Sequence, residues 1–195
     1  MLREPERLRV LIASATEKAV DFLTPLLPAD RFSLLPVLKD AGSVRRLLAE
    51  NPPDLLLLNT PLPDEFGSQL AVEASEQYGV GVLIFVRAEV YEQVVCKTET
   101  AGVLTLGRPV GKTAVSQSVQ LLVATRARLR ALEQRTQSLE AKMQEIRLVN
   151  RAKWLLVDHL HMTEPEAHRY IEKAAMDACV RRGEIASSIL RTYEH

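Results

Sequence analysis

The stretch DLLLLNTPLP, Asp54 to Pro63, is an apolar run that ends on Asn59 ahead of a proline-rich turn. An Asn amide at a strand end supplies neither the carboxylate nucleophile that phosphoryl transfer to a side chain needs nor a hard anionic oxygen for Mg²⁺. Asp54 cannot stand in for it, because the strand between them spans roughly 16 Å at about 3.3 Å per residue. The remaining reactive side chains are scattered. Cys96 and Cys179 are far apart in sequence and lack metal spacing, so they read as buried or idle thiols. His159 and His161 are two residues apart and face different sides of a helix, so with His168 they form no ligand set, and surface or capping roles are expected. There is no Gly-rich phosphate loop, no nucleophile elbow and no carboxylate pair at a strand end. The expectation is a protein that is not an enzyme and needs no metal or cofactor.

The elements that hold these residues follow from the apolar pattern. Up to about Val123, the runs RVLIAS, SLLPVL, DLLLLN, GVLIFV and GVLTL alternate with amphipathic segments. Continuous rather than alternating apolar strands imply a parallel sheet covered on both faces, and five β/α units imply a doubly wound α/β domain. Helices are expected at Glu17 to Leu27, Val44 to Glu50, Gly67 to Tyr78 and Val90 to Thr100, with Ser43 as an N-cap. From Thr113 about forty residues pass without Gly or Pro, and Leu122, Leu129, Leu132, Leu139, Met143 and Ile146 recur at heptad spacing. That spacing predicts one long helix pairing with a second copy as a coiled coil. Thr125, Thr136 and Asn150 interrupt the seam and would fix its register. A solvated helix folding back on its own domains is the alternative. After Trp154, the capping box Thr163 to Glu166 with Pro165 in the first turn starts a helix at Glu164. Its face is Ala167, Ile171, Ala174, Ala175 and Ala178. Gly183 then separates it from a last helix carrying Ile185, Ala186, Ile189 and Leu190, giving a small all-α three-helix unit. The expected parts are 1–123, 124–150 and 151–195.

The chain has 47% hydrophobic residues and 25 basic against 25 acidic, enough apolar content for one or two ordinary cores and a balance that argues against a nonspecific polyanion binder. No apolar run approaches the roughly 20 residues of a membrane span, and MLREPERLRV does not resemble a signal peptide. A cytoplasmic protein without membrane contact is expected.

The five-unit pattern over roughly residues 8–123 resembles a response-regulator receiver domain, a flavodoxin-like fold. Receivers place an acidic pair, a phosphoacceptor Asp, a Thr or Ser, and a Lys before proline at successive strand ends. Here the matching positions read Ser14 and Ala15, Asn59, Arg87, and Arg108 before Pro109. The resemblance implies a receiver that has lost the acceptor, the metal ligands and the hydroxyl that senses the phosphoryl group. It also implies a cis bond at Arg108 to Pro109. With strand-end carboxylates missing, Arg87 and Arg108 suggest an anion, or the side chain of Asp64 or Glu65, in the site. The alternative leaves both arginines in water.

The tail, with AKWLL at Ala152 to Leu156, MTEPEA at Met162 to Ala167, AAM at Ala174 to Met176 and the final EIASSIL, resembles an ANTAR domain. That resemblance begins within the preceding helix. It implies binding to paired RNA hairpins in nascent leaders and transcription antitermination. Between Arg126 and Lys153 lie eight basic and three acidic residues, a local excess of five that fits either phosphate tracking or the solvated flank of a coil. Arg151, Lys153, Arg169, Lys173, Arg181 and Arg182 are the candidate RNA contacts. Trp154 either stacks on an unpaired base or packs against a neighbouring helix or domain. The resulting expectation is a homodimeric RNA-binding antiterminator of a two-component type, with control by a regulatory protein partner, a ligand or expression level. A protein-interaction adaptor that no longer binds RNA is the chief alternative, and a phospho-switched regulator a weaker one.

Overall fold

A computed structural model describes residues 7–193 of the chain. It divides into two compact units, Met1–Arg128 and Leu129–His195.

The first unit contains a five-stranded all-parallel sheet in the order β2-β1-β3-β4-β5. The strands are β1 (Leu8–Ser14), β2 (Phe32–Leu34), β3 (Leu55–Asn59), β4 (Gly81–Arg87) and β5 (Leu104–Arg108). The central strand β3 explains the two-sided cover. Its four leucines are fully buried but alternate between faces. Leu56 and Leu58 pack with α2 (Ala41–Glu50), α3 (Ser68–Glu76) and α4 (Tyr91–Thr98), while Leu55 and Leu57 pack with α1 (Glu17–Leu23) and the start of α5 (Lys112–Leu160). Truncating any of them to Ala removes contacts and leaves a cavity, at a typical cost of about 2–5 kcal/mol.

Most expected elements are present, with physical reasons for the differences. β2 stops at Leu34 because Pro36 cannot donate to a ladder; the chain rejoins the sheet only as an isolated bridge between Leu38 and Ala13. The N-cap of α2 is Asp40 rather than Ser43. The Asp40 carboxylate accepts from the Ser43 backbone N–H at 2.7 Å and from its hydroxyl at 2.9 Å, so Ser43 sits inside the first turn. Gly67 precedes α3 with φ of 100°, a left-handed conformation that favours glycine. Leu122, expected on the intermolecular seam, is instead only 5% exposed and buried against the sheet with Val115 and Val119. Both the heptad and the core stripe pass through it, and the core takes it.

The second unit is built from the remainder of α5, α6 (Glu164–Asp177) and α7 (Arg182–Tyr193). Ala152 and Leu156 of α5 meet Ala167 and Ile171 of α6 and Ala186 and Ile189 of α7 in a separate core. Small residues at these positions allow close helix approach. The helix starts as expected at Glu164, where the Glu166 carboxylate accepts from the Thr163 backbone N–H (2.8 Å) and hydroxyl (2.7 Å). Ala175 joins the buried face, but Ala178 is exposed at the C-cap. Cys179, at φ of 53°, ends the helix. Gly183 lies within the first turn of α7 rather than between helices. A Cβ there would come within 3.3 Å of Glu145 Cγ, so the glycine serves close packing against α5.

Candidate functional site

Parallel pairing of β1, β3, β4 and β5 brings Ser14, Asn59, Phe85, Arg87 and Arg108 to one edge of the sheet. Ser14 and Asn59 are buried. The Asn59 amide nitrogen donates to the hydroxyls of Ser14 (3.1 Å) and Thr16 (3.2 Å). Its oxygen accepts from Arg108 Nη1 at 3.0 Å, and Arg108 Nη2 donates to the Thr60 carbonyl. An amide suits this position chemically, since one side of it donates and the other accepts. The Asn59–Arg108 pair thus ties the end of β3 to the end of β5, with the hydroxyls of Ser14 and Thr16 on the other side of the amide. Arg108 and Pro109 are joined by a cis peptide bond, as are Thr60 and Pro61.

The acidic partners expected for the arginines are engaged elsewhere. Asp64 caps α2, accepting from the N–H groups of Ala41 (2.9 Å) and Gly42 (3.0 Å); the Ala41 bond chiefly holds its carboxyl below the usual range. Glu65 takes Arg45 Nη1 at 2.8 Å, and Glu73 takes Arg45 Nε at 2.7 Å. Among the described residues no carboxylate pairs with Arg87 or Arg108. Burial, and secondarily the charge of Arg87, push the Arg108 guanidinium below its ordinary pKa. Sequence reasoning named both Asn59 and Arg108 but missed their bond. The bond spans 49 residues and crosses β4, so it depends on strand order rather than on a local sequence signal.

In the second unit, Lys153 and Arg182 meet at one cleft, together with Lys142, Asn150 and His168. Neither cation is idle. Lys153 Nζ lies 2.5 Å from Glu164 Oε1, while Arg182 pairs with Glu172 (3.5 Å) and Glu145 (3.8 Å). Arg169 and Lys173 are exposed one helical turn apart on α6, and Arg151 is exposed on α5. Arg181 lines a different cleft, with Ser138 and Arg191. Arg126 of the basic stretch pairs with Asp54 at 3.7 Å in the first unit. Trp154 is 75% exposed, so packing within the chain does not account for it. His159 stacks on Tyr193 with ring centroids 5.2 Å apart, and His161 adopts φ of 53° just after α5. Cys96 and Cys179 are free thiols and both exposed rather than buried. No group of His, Cys, Asp or Glu among the described residues has metal-site geometry, and no helix there is long and apolar enough to cross a membrane.

The exposed apolar residues of α5 form a stripe. Leu129, Leu132, Leu139, Met143 and Ile146 are 49–61% exposed. Trp154 follows Met143 by eleven residues, about three turns at ~3.6 residues per turn, so it continues this stripe. Ala152 and Leu156, on the opposite side, enter the core of the unit.

Comparison with known proteins agrees with both units. Residues 137–190 match the family model described as "ANTAR domain". The chain is similar to the "Transcriptional regulatory protein PdtaR" of Mycobacterium tuberculosis, with 26% identity over 185 residues, covering 94% of this chain and 90% of that protein. Its fold is similar to a signal receiver domain of an HD domain-containing protein from Pseudomonas fluorescens Pf-5 (TM-score 0.59, 18% identity, 67% of this chain and 97% of the other). It is also similar to a CheY-like receiver domain from Methanospirillum hungatei JF-1 (TM-score 0.54, 16% identity, 63% and 98%). The chain therefore joins a receiver-like fold to an ANTAR domain.

Proposed function

We propose that this protein is an RNA-binding transcription antitermination regulator whose receiver-like unit does not accept a phosphoryl group, and which pairs through α5 to present two ANTAR units to paired RNA hairpins. The observation that carries the reading is the combination of an ANTAR match over 137–190 with exposed cations on the same three helices. The similar mycobacterial protein bears the name of a transcriptional regulator.

The stripe on α5 supports pairing of two copies in parallel. With Leu129, Thr136, Met143 and Asn150 at a positions and Leu132, Leu139 and Ile146 at d, the g positions are Arg128, Arg135 and Lys142, and the e positions Glu133, Glu140 and Arg147. In a parallel pair, g of one helix faces the following e of its partner, matching Arg128 with Glu133 and Arg135 with Glu140. An antiparallel pair would set g against g, cation against cation. The third match, Lys142 with Arg147, joins like charges beside the cleft of Lys153 and Arg182, and an RNA phosphate crossing there would relieve the repulsion. Trp154, the next e position after Arg147, borders the interhelical seam in this reading as well as its RNA end. Two tails on one coil raise the effective concentration for a second hairpin.

Titration of a two-hairpin RNA against a scrambled RNA of equal length tests the reading. Affinity for the folded RNA should exceed that for the scrambled one and fall steeply with salt. Equal weak binding to both, with a protein partner captured instead through the basic face, would favour the adaptor reading.

A further inference from the structure

Beyond RNA binding, the altered receiver site has the makings of a ligand pocket. At the C-terminal ends of β1, β3, β4 and β5 lies a cleft of about 840 Å³, within the usual ~300–1,000 Å³ of small-molecule sites and at the crevice where open α/β sheets bind ligands. Three cations, Lys18, Arg87 and Arg108, line it, and no carboxylate does. Apolar walls come from Phe22, Phe85 and Val110. Arg108 is fixed by Asn59 and Thr60, which use one N–H on each Nη, and its buried Nε has no acceptor. A guanidinium offers five N–H donors, so it is held in place yet underused. Arg87 is its register partner on the neighbouring strand β4. Three cations lining one apolar cavity, with the nearby Asp64 and Glu65 committed elsewhere, make a complementary field for an oxyanion carrying an apolar body.

We propose that this cleft binds a small organic anion, its carboxylate or phosphate lying among Lys18, Arg87 and Arg108 and its apolar body against Phe22, Phe85 and Val110. The site would give a receiver-like unit without a phosphoacceptor a chemical input. The inference rests on the reading of Asn59 as a non-acceptor and is independent of RNA binding.

Calorimetric titration of the full-length protein with phenyl phosphate, benzoate, inorganic phosphate and neutral phenol tests it. Phenyl phosphate or benzoate should bind at least tenfold more tightly than inorganic phosphate or phenol, and the better of the two identifies the headgroup. Arg87→Gln and Lys18→Gln, both at exposed positions that leave the Asn59–Arg108 pair intact, should each weaken that binding, Arg87→Gln by tenfold or more. Absence of binding at millimolar concentrations, equal binding of inorganic phosphate, or affinity unchanged in both variants would overturn the proposal. A separate incubation of wild-type protein with acetyl phosphate distinguishes the underlying reading: a phosphoryl adduct by mass spectrometry would refute Asn59 as a non-acceptor whatever the titration gives.

Discussion

If Asn59 now serves as the structural tie of the receiver edge, its replacement by Ala should cost stability far beyond that of an ordinary polar substitution. The side chain is 5% exposed and makes three hydrogen bonds, one from the charged Arg108 (3.0 Å) and two to the hydroxyls of Ser14 and Thr16 (3.1 and 3.2 Å). The bond to the guanidinium is worth about 1.5–3 kcal/mol and each neutral bond about 0.5–1.5. Thr16 is exposed and can turn to water, and Arg108 keeps the Thr60 carbonyl, so the expected net loss is about 2–4 kcal/mol. Urea unfolding followed by circular dichroism measures it. A double-mutant cycle with Arg108→Met should then return a coupling of about 1–2 kcal/mol, as for side chains in one network. A loss for Asn59→Ala below about 0.5 kcal/mol, or strict additivity with Arg108→Met, would refute the tie.

Three further outcomes follow from the geometry. Leu139 is 61% exposed in the single chain; with that fraction covered in each of two copies at ~1.5–3 kcal/mol per fully buried leucine, Leu139→Ala should weaken dimerisation by about 2–4 kcal/mol, or ~30–800-fold, by sedimentation equilibrium. Arg135→Glu should likewise weaken the pair, and adding Glu140→Arg should restore it if the helices are parallel. The Glu166 carboxyl is held below its usual range by the Thr163 backbone N–H and hydroxyl, and Glu164 by the Lys153 ammonium. Depressed carboxyl pKa values stabilise the fold above the unfolded-state value of about 4.3, and that stability disappears as pH falls through the lower folded values. Melting of the ANTAR unit should therefore be flat from about pH 7 to 5 with respect to these groups and decline below about pH 4, less so in Glu166→Gln.

The sheet was legible because its strands are continuous apolar runs, and the long helix because nothing breaks it between Lys112 and Leu160. The Thr163 to Glu166 signal placed the start of α6 at its observed residue because both halves of the box are local. Tertiary choices were not legible. Leu122 satisfies a heptad and a core stripe equally, and only the i, i+4, i+7 run Val115, Val119, Leu122 reveals that the sheet claims it. Asp40 and Ser43 are both good caps, and the backbone decides between them. The tie between Asn59 and Arg108 spans 49 residues of sequence and depends on strand order. Read separately, each residue looked like a loss of function; together they form a bond. The exposure of Trp154 was similarly undetermined, since an indole beside Lys153 fits either base stacking or packing against a neighbouring helix or domain.

The central claim, that paired α5 helices offer two ANTAR units to one folded transcript, is tested most directly by the mass of the complex. Multi-angle light scattering of the protein with a two-hairpin RNA should give two chains per RNA, with the stoichiometry unchanged by acetyl phosphate. One chain per RNA at saturating protein would contradict it.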